Sequence, residues 1–516
     1  MTFPAIIHRI DSVLISLDAC SLLDLTISPS LALEALTKDS DNTGDHDEEQ
    51  LNFQAGMGNN YERLEFLGDS FLKMATTISL FTLIPDSNEF EYHVERMLLV
   101  CNQNLFNHAV DRKLQEFVRS KSLDRRTWYP DLKLKKGKAP KTELRHNLAD
   151  KSIADVCEAL IGAAYVTTEG NFDMAVKAVT QMVRSKNHKM QSFGDYYNEF
   201  IVPPWQSGAS TAAQRFVVQQ VSQNTGYTFA SAALLRSAFK HPSYPYEPIP
   251  NYQRLEFLGD ALLDMAIVDY LFKRYPAADP QWLTEHKMAM ASNQFLGCVC
   301  VKLKLQKHLL ITTSALISQI SEYVAELEQA EEDAQKEAEN EGTAVRCNFW
   351  LSASQPPKAL PDIVEALVGA MFVDSQYNYA VVVDFFARFV QPYFEDMALY
   401  DTFAKKHPVT FLARKMQSEL FCTQWRICTS NVPCAIDEGV SAMTESDVVC
   451  ALMIHGEVFA HATAKSGRYA KIAVAKRALE KIKELGDEAK ATIGCDCAAP
   501  AEAGEDASIQ QYGTAI

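Results

Sequence analysis

Leu64, Leu67, Phe71 and Leu72 recur at spacings of three and four, and Ile153, Val156, Leu160 and Ala163 do the same. This period predicts two helices, each with one apolar face. Both segments have counterparts further along. Tyr61–Ala75 reads YERLEFLGDSFLKMA and Tyr252–Ala266 reads YQRLEFLGDALLDMA, identical at eleven of fifteen positions. ADVCEALIGAAYV (Ala154–Val166) returns as PDIVEALVGAMFV (Pro361–Val373). An internal repeat of this kind predicts two versions of one mostly α-helical domain.

The first pair of segments lies 191 residues apart, as do Asn102 and Asn293, and the second pair lies 207 apart. Sixteen net residues have therefore entered the second copy. The run 321–341 falls in that gap, with nine acids against Lys336. It is rich in Glu and Ala and almost without an apolar stripe, so it reads as a solvated insertion, mobile or a lone exposed helix. Pro203, Pro204, Ser207 and Gly208 mark 191–214 as a linker.

Residues 405–485 change pattern. Val409, Leu412, Met416 and Leu420 make one helical face, and three strand-like runs follow at Thr423–Thr429, Val448–His455 and Glu457–Ala464. His455-Gly456 supplies a turn. A basic helix after Gly467 turns Ile472, Ala475, Leu479 and Ile482 to a core. The expected architecture is mainly α: a helical domain over 1–190, the linker, a second over 215–400 with its acidic insertion at about 315–348, and a small αβββα domain over 405–485. A polar tail, 486–516, ends the chain.

The N-terminal residues are broken by Arg9, Asp11 and Asp18, which argues against a secretory signal. No window approaches the roughly 20 apolar residues of a membrane span. Twelve cysteines scattered over 516 residues fit reduced thiols and an intracellular protein. A net charge of −17 looks wrong for a nucleic-acid partner, but it is uneven. Residues 112–145 carry twelve Lys/Arg against four acids, and 405–485 carry twelve against eight. Local patches, not the total, speak to partners.

On a helix, i, i+3 and i+4 share a face. Glu65 with Asp69, and Asp155 with Glu158, therefore present four acids where two helices meet, and Glu256, Asp260, Asp362 and Glu365 repeat the set. Clustered anions repel unless cations sit among them, and hard oxygen ligands suit Mg²⁺ or Mn²⁺. Such a site activates water against a phosphodiester. Gly68 and Gly259, beside the acids, allow close approach of another chain or a ligand. Lys151 and Lys358 stand one turn before the second-block Asp; they reach a phosphate or balance the acids, or are plain salt bridges. Asn102 and Asn293 orient a ligand or cap a helix, and His241-Pro242-Ser243 shapes a turn.

LEFLGD followed by ADxxEALxGA resembles the ribonuclease III family. Two such domains before a double-stranded-RNA-binding-like domain resemble the C-terminal half of Dicer proteins, most of all the fungal Dicer-like ones. The resemblance implies an internal pseudo-dimer, a monomer in solution, that cuts both strands of double-stranded RNA with Mg²⁺ or Mn²⁺. It implies products with 5′ phosphates and 3′ overhangs, a place in RNA silencing and antiviral defence, Argonaute or RNA-binding helper proteins as partners, and residence in nucleus or cytoplasm. By motif, one site is Glu65, Asp69, Asp155 and Glu158, and the other is Glu256, Asp260, Asp362 and Glu365, with Lys151 and Lys358 beside them. The alternative is a protein that holds RNA without cutting it, or a fragment that needs a helicase and end-binding half; neither GxxxxGK[ST] nor room for such a half is found here.

Lys465, Arg468 and Lys471, at the start of the last helix, are candidate RNA contacts, since A-form RNA is read through phosphates and shape. Lys133, Lys135, Lys136 and Lys138 form a second basic loop. Cys495 and Cys497, in a tail with no core to fill, suggest a zinc site completed by Cys422 and His461, with Cys428 or His455 as substitutes. Some fungal Dicer C-terminal domains look similar. Cys157, Cys298 and Cys300 read as core residues.

Overall fold

The apolar faces read from the sequence are buried as helices that cross within each copy. The computed structural model describes residues 2–38, 59–85, 87–120, 148–208, 210–342, 344–401, 403, 408–416, 422, 424–431, 448–464 and 467–485. Residues through Asp396 form one unit, and those from Met397 a second.

In the first unit, α1 (Glu62–Leu83) and α2 (Glu89–Val100) precede α3 (Asp150–Thr167). The second copy supplies α4 (Gln253–Arg274), α5 (Pro280–Met290), α6 (Ser314–Glu341) and α7 (Ala359–Asp374). Leu64, Leu67, Phe71 and Leu72 of α1 and Val156, Leu160 and Ala163 of α3 are fully buried. The crossing is set by two glycines. A Cβ on Gly68 would lie 1.8 Å from the Glu158 carbonyl oxygen, and one on Gly162 would lie 2.2 Å from that of Leu64. Gly259 and Gly369 repeat the arrangement for α4 and α7, at 1.8 Å from the Glu365 oxygen and 2.3 Å from the Leu255 oxygen. The close approach expected at Gly68 and Gly259 is thus made by a helix of the same domain.

The two copies pack as a pseudo-dimer through α1 and α4. Arg63 donates to the carbonyls of Phe272 (3.3 Å), Tyr275 (3.2 Å) and Ala278 and lies over the Phe272 ring. It thereby meets the open carbonyls at the end of α4. Its repeat equivalent, Arg254, lies over Phe81. Tyr92 stacks on Phe257 with ring centroids 5.1 Å apart, and Tyr165 donates to Asp269 at 2.8 Å.

The acidic run differs from its expectation. It is α6, one helix of 28 residues, and it does carry a narrow stripe: Ile320, Tyr323 and Leu327 are buried. Lys302 pairs with Glu331 on its flank. Three apolar residues at spacings of three and four suffice to lay it down while the acids stay in water. Within 191–214, Gly194–Asn198 is helical; Tyr196 is buried and its hydroxyl meets His188 Nε2 at 2.8 Å. Asn102 and Asn293 open their helices, but the capping oxygen at the second is that of Ser292, which accepts from Phe295 N at 3.2 Å. His241 Nδ1 accepts from Ser243 N at 3.0 Å, the expected turn.

The second unit has an antiparallel sheet in the order β1 (Trp425–Asn431), β2 (Val448–Ile454), β3 (Glu457–Ala464), between a helix at Pro408–Arg414 and α8 (Gly467–Leu485). His455 (φ 50°) and Gly456 (φ 85°) both adopt the left-handed conformation, as a two-residue hairpin turn of matching twist requires. Leu412, Met416, Leu452, Ile454, Val474, Ala478 and Ile482 share its core. Among the described residues no helix is long and apolar enough to cross a membrane.

Candidate metal centres

Each helix crossing brings three carboxylates together. Oxygens of Glu65, Asp155 and Glu158 all lie within 4.8 Å of one another, and so do those of Glu256, Asp362 and Glu365. Lys151 Nζ meets Asp155 at 3.2 Å and Glu65 at 3.9 Å; Lys358 Nζ meets Asp362 and Glu256 at 3.0 Å each. The two lysines are therefore internal counter-ions of the sites. Two tyrosines that the sequence reading passed over complete the pattern. The Tyr61 hydroxyl donates to Asp155 at 3.3 Å and the Tyr252 hydroxyl to Asp362 at 3.0 Å. Both stand in the repeated segment, at its first position, so the repeat itself carried the signal.

Asp69 and Asp260 lie one turn beyond these triads. Asp69 lines a cleft of about 600 Å³ with Glu62, Glu65, Phe66 and Glu158 from one copy and Asp279–Gln281 and Thr284 from the other. Asp260 is ion-paired to Lys73 of the first copy at 2.9 Å. Each remains the strongest charged neighbour of the deep glutamate, Asp69 of Glu158 and Asp260 of Glu365. The expected sets of four are thus triads with a fourth acid held at the boundary between the copies.

The electrostatics show what the triads lack. Burial, and then the Asp155 charge, lift the Glu65 carboxyl to about 7. Burial and Asp362 do the same for Glu256, also to about 7. Glu158 and Glu365 are raised well above the usual carboxylate range by burial and by the acids around them. One ammonium per site leaves an excess of negative charge, and Glu256 Oε2 is buried with no hydrogen-bond partner. An oxygen-only donor set, surplus charge and an orphaned buried oxygen fit a hard divalent cation.

The remaining candidates fall in the second unit or outside the described residues. Lys133, Lys135, Lys136, Lys138, Lys465, Cys495 and Cys497 lie outside. Arg468 and Lys471 are in the first turns of α8, where Lys471 is half-buried; the Arg468 side chain is not among those described. The buried Cys422 faces His455, Sγ to Nε2 3.4 Å. His461 is exposed on β3 opposite Ala451, so the histidine beside Cys422 is His455, the substitute, and not His461. The reason is the hairpin: His455 sits in the β2–β3 turn, and its N–H is bonded to Gln424 O, two residues past Cys422. Cys157, Cys298 and Cys300 are fully buried, as expected.

A family model for the ribonuclease III domain matches residues 62–169 and again 253–376, and one for a double-stranded-RNA-binding domain matches 400–484. The chain carries two ribonuclease III domains followed by a double-stranded-RNA-binding domain. Both matches take in a complete triad. Dicer-like protein 1 of Chaetomium globosum is 55% identical over 96% of this chain and 32% of its own length, and Dicer-like protein 1 of Neurospora crassa is 54% identical over 96% and 33%. The chain thus spans about a third of the length of the curated relatives it matches. The crystal structure of Dicer from Giardia intestinalis aligns with 64% of this chain and 54% of that one at 13% identity, TM-score 0.37. Ribonuclease III domains depend on divalent metals, in keeping with the two acidic clusters.

Proposed function

We propose that this chain is the nuclease portion of a Dicer-like enzyme and hydrolyses both strands of double-stranded RNA, one strand at each acid site. The reading is carried by one observation: two triads, each complete, each with its own lysine and tyrosine, on the two halves of one pseudo-dimer. A protein that only held RNA would have no need of either triad. Glu65, Asp155 and Glu158, with Asp69, form the first site; Glu256, Asp362 and Glu365, with Asp260, form the second. Mg²⁺ or Mn²⁺ is the cation that suits such oxygen sites. When bound it supplies Lewis-acid stabilisation of phosphate charge and activation of water at neutral pH.

The chain's own residues do the rest. Tyr61 and Tyr252 donate to one oxygen of the second-block Asp and fix its rotamer, leaving the other oxygen for the ligand sphere. Lys151 and Lys358 balance the clustered acids, and their flexible stems would let the ammonium turn to a phosphate with a cation among those acids. Products with 5′ phosphates and 3′ overhangs, and a role in RNA silencing with Argonaute or RNA-binding helpers, follow from the likeness to Dicer-like protein 1. The second unit, through Arg468 and Lys471 of α8 and the neighbouring Lys465, grips the duplex backbone. A structural zinc in that unit would use Cys422 and His455, with Cys495 and Cys497; metal analysis of the purified chain, and of Cys422→Ser, tests it.

The deciding experiment is end-labelled duplex RNA with the wild type, Glu158→Gln, Glu365→Gln and the double variant, in Mg²⁺, Mn²⁺ or EDTA. The expected result is two cuts, one per single variant and none for the double. A wild type that binds duplex RNA but never cuts it in either metal overturns the proposal.

A further inference from the structure

The two acid sites meet a single buried charge at the boundary between the copies. Asp264 of α4 is 5% exposed, with Lys73 Nζ of α1 at 3.5 Å and Lys287 Nζ of α5 at 2.9 Å. Lys73 also pairs with Asp260 at 2.9 Å. Lys287 also donates to Ser70 Oγ of α1 at 3.3 Å, and is the strongest attracting charge on Asp69. The order of charges is therefore Asp69, Lys287, Asp264, Lys73, Asp260: a row that starts beside one triad and ends beside the other. Arg96 of α2 is the further cation facing it, bonded to Thr77 Oγ1 at 3.1 Å and lying 4.4 Å over the Phe257 ring, with His93 beside the same ring. None of Lys73, Lys287 and Asp264 belongs to a triad.

We propose that Asp264 is a positioning residue for both sites, holding Lys287 off Asp69 and sharing Lys73 with Asp260, so that a divalent cation can take over both outer acids. The inference rests on reading the triads as metal sites. With Asp264 charged, two ammoniums share three carboxylates, and the outer two carboxylates are only partly neutralised. With Asp264 neutral, the same ammoniums have the outer carboxylates as their only acidic partners. A half-buried ammonium among acids stays paired, so Lys287 closes on Asp69, Lys73 turns wholly to Asp260, and the cation must displace both. Asp264→Asn keeps the shape and removes the charge. A tenfold loss of affinity corresponds to about 1.4 kcal/mol, well inside the roughly 4 kcal/mol of one charge about 4 Å away at an effective dielectric of 20.

Mn²⁺ binding to the full chain, read by the spectroscopic signal of the free ion, tests this without turnover. Glu365→Gln and Glu158→Gln backgrounds isolate the first and second sites, and strand-labelled RNA reports each cut in parallel. Asp264→Asn is expected to weaken Mn²⁺ about tenfold at both sites. Adding Lys287→Met to it is expected to restore the first site alone, and adding Lys73→Met the second alone. A merely structural role for Asp264 predicts no such site-by-site rescue. If Asp264→Asn does not fold, Lys287→Met by itself is expected to tighten Mn²⁺ at the first site and leave the second unchanged. Equal affinity in Asp264→Asn and the wild type, or rescue of both sites by either lysine change, overturns the inference. A wild type that binds no Mn²⁺ overturns the metal reading instead.

Discussion

Replacing Gly68 by alanine adds one methyl group at the point where α1 crosses α3. That methyl would stand 1.8 Å from the Glu158 oxygen, 2.7 Å from the carbonyl carbon and 2.9 Å from Gly162 N. All three neighbours are backbone, so no side chain can swing aside. Ordinary contact requires about 3.4 Å, and the helices must part by roughly 1.5 Å. Overpacking of this kind costs about 1–3 kcal/mol, and more when neither side yields. For domains of this size that lowers Tm by about 2–4 °C per kcal/mol. The second consequence is specific. The oxygen struck belongs to Glu158, whose side chain is in the first triad, and a 1 Å displacement of such a group costs about 100-fold in rate. Differential scanning fluorimetry and strand-labelled cleavage measure both effects. Gly68→Ala is expected to lower Tm and abolish the first cut while sparing the second; Gly259→Ala, with its 1.8 Å approach to the Glu365 oxygen, is expected to do the reverse. A Gly68→Ala protein with wild-type Tm and both cuts intact would refute the reasoning.

Three further outcomes follow from the sites and the core. Glu65 and Glu256 titrate near 7 in the folded chain against an ordinary 4.5, so folding takes up protons between those values. Their contribution to stability is full below about 4.5 and lost as pH rises through about 7, on the order of 1–3 kcal/mol per group. In EDTA, Tm should be higher at pH 5.5 than at pH 8, and added Mg²⁺ should raise it more at pH 8; an unchanged Tm across that range contradicts the calculation. Tyr252→Phe removes a 3.0 Å bond to Asp362, worth about 1.5–3 kcal/mol to a charged acceptor, and should weaken Mn²⁺ and slow the second cut only. Leu327→Ala, in the buried stripe of α6, should cost about 2–3 kcal/mol in chemical denaturation and leave both cuts at wild-type rate; a lost cut would show that α6 supports the site.

Much of this was legible in the residues. The eight acids stood out because repetition preserved them, and the crossing glycines because an interior helical glycine needs a reason. The strands of the second unit were readable from alternation and from His455-Gly456, with β1 displaced by two residues since Trp425, not Thr423, begins the pairing with Ile454. What stayed hidden was contact between distant segments. Nothing local marks Tyr61 as a partner of Asp155, 94 residues away, or Cys422 as a neighbour of His455. The stripe of α6 was too thin to see because only three of its large apolar residues, Ile320, Tyr323 and Leu327, are buried in a 28-residue acidic helix. The fourth acid of each set was placed correctly on its helix face, but a face is wide enough to serve both a triad and a neighbouring domain.

The repeat is informative where it fails as well as where it holds. Lys73 and Asp264 occupy the same position in the two copies, and so do Arg96 and Lys287. The second pair is cationic in both copies; the first is of opposite sign, and its members sit 3.5 Å apart at the boundary. A like pairing of two first copies would set Lys73 against Lys73, and of two second copies Asp264 against Asp264. Two like charges about 4 Å apart at an effective dielectric of 20 cost about 4 kcal/mol, where the unlike pair gains. This reversal of charge at one repeated position thus favours pairing of unlike copies, and one chain carries both. The same reversal supplies the anion that shares Lys73 with Asp260 and pairs with Lys287 at 2.9 Å. A symmetric dimer has no position for such a lone charge, because every residue at its axis appears twice; divergence of the two copies made the shared counter-ion possible.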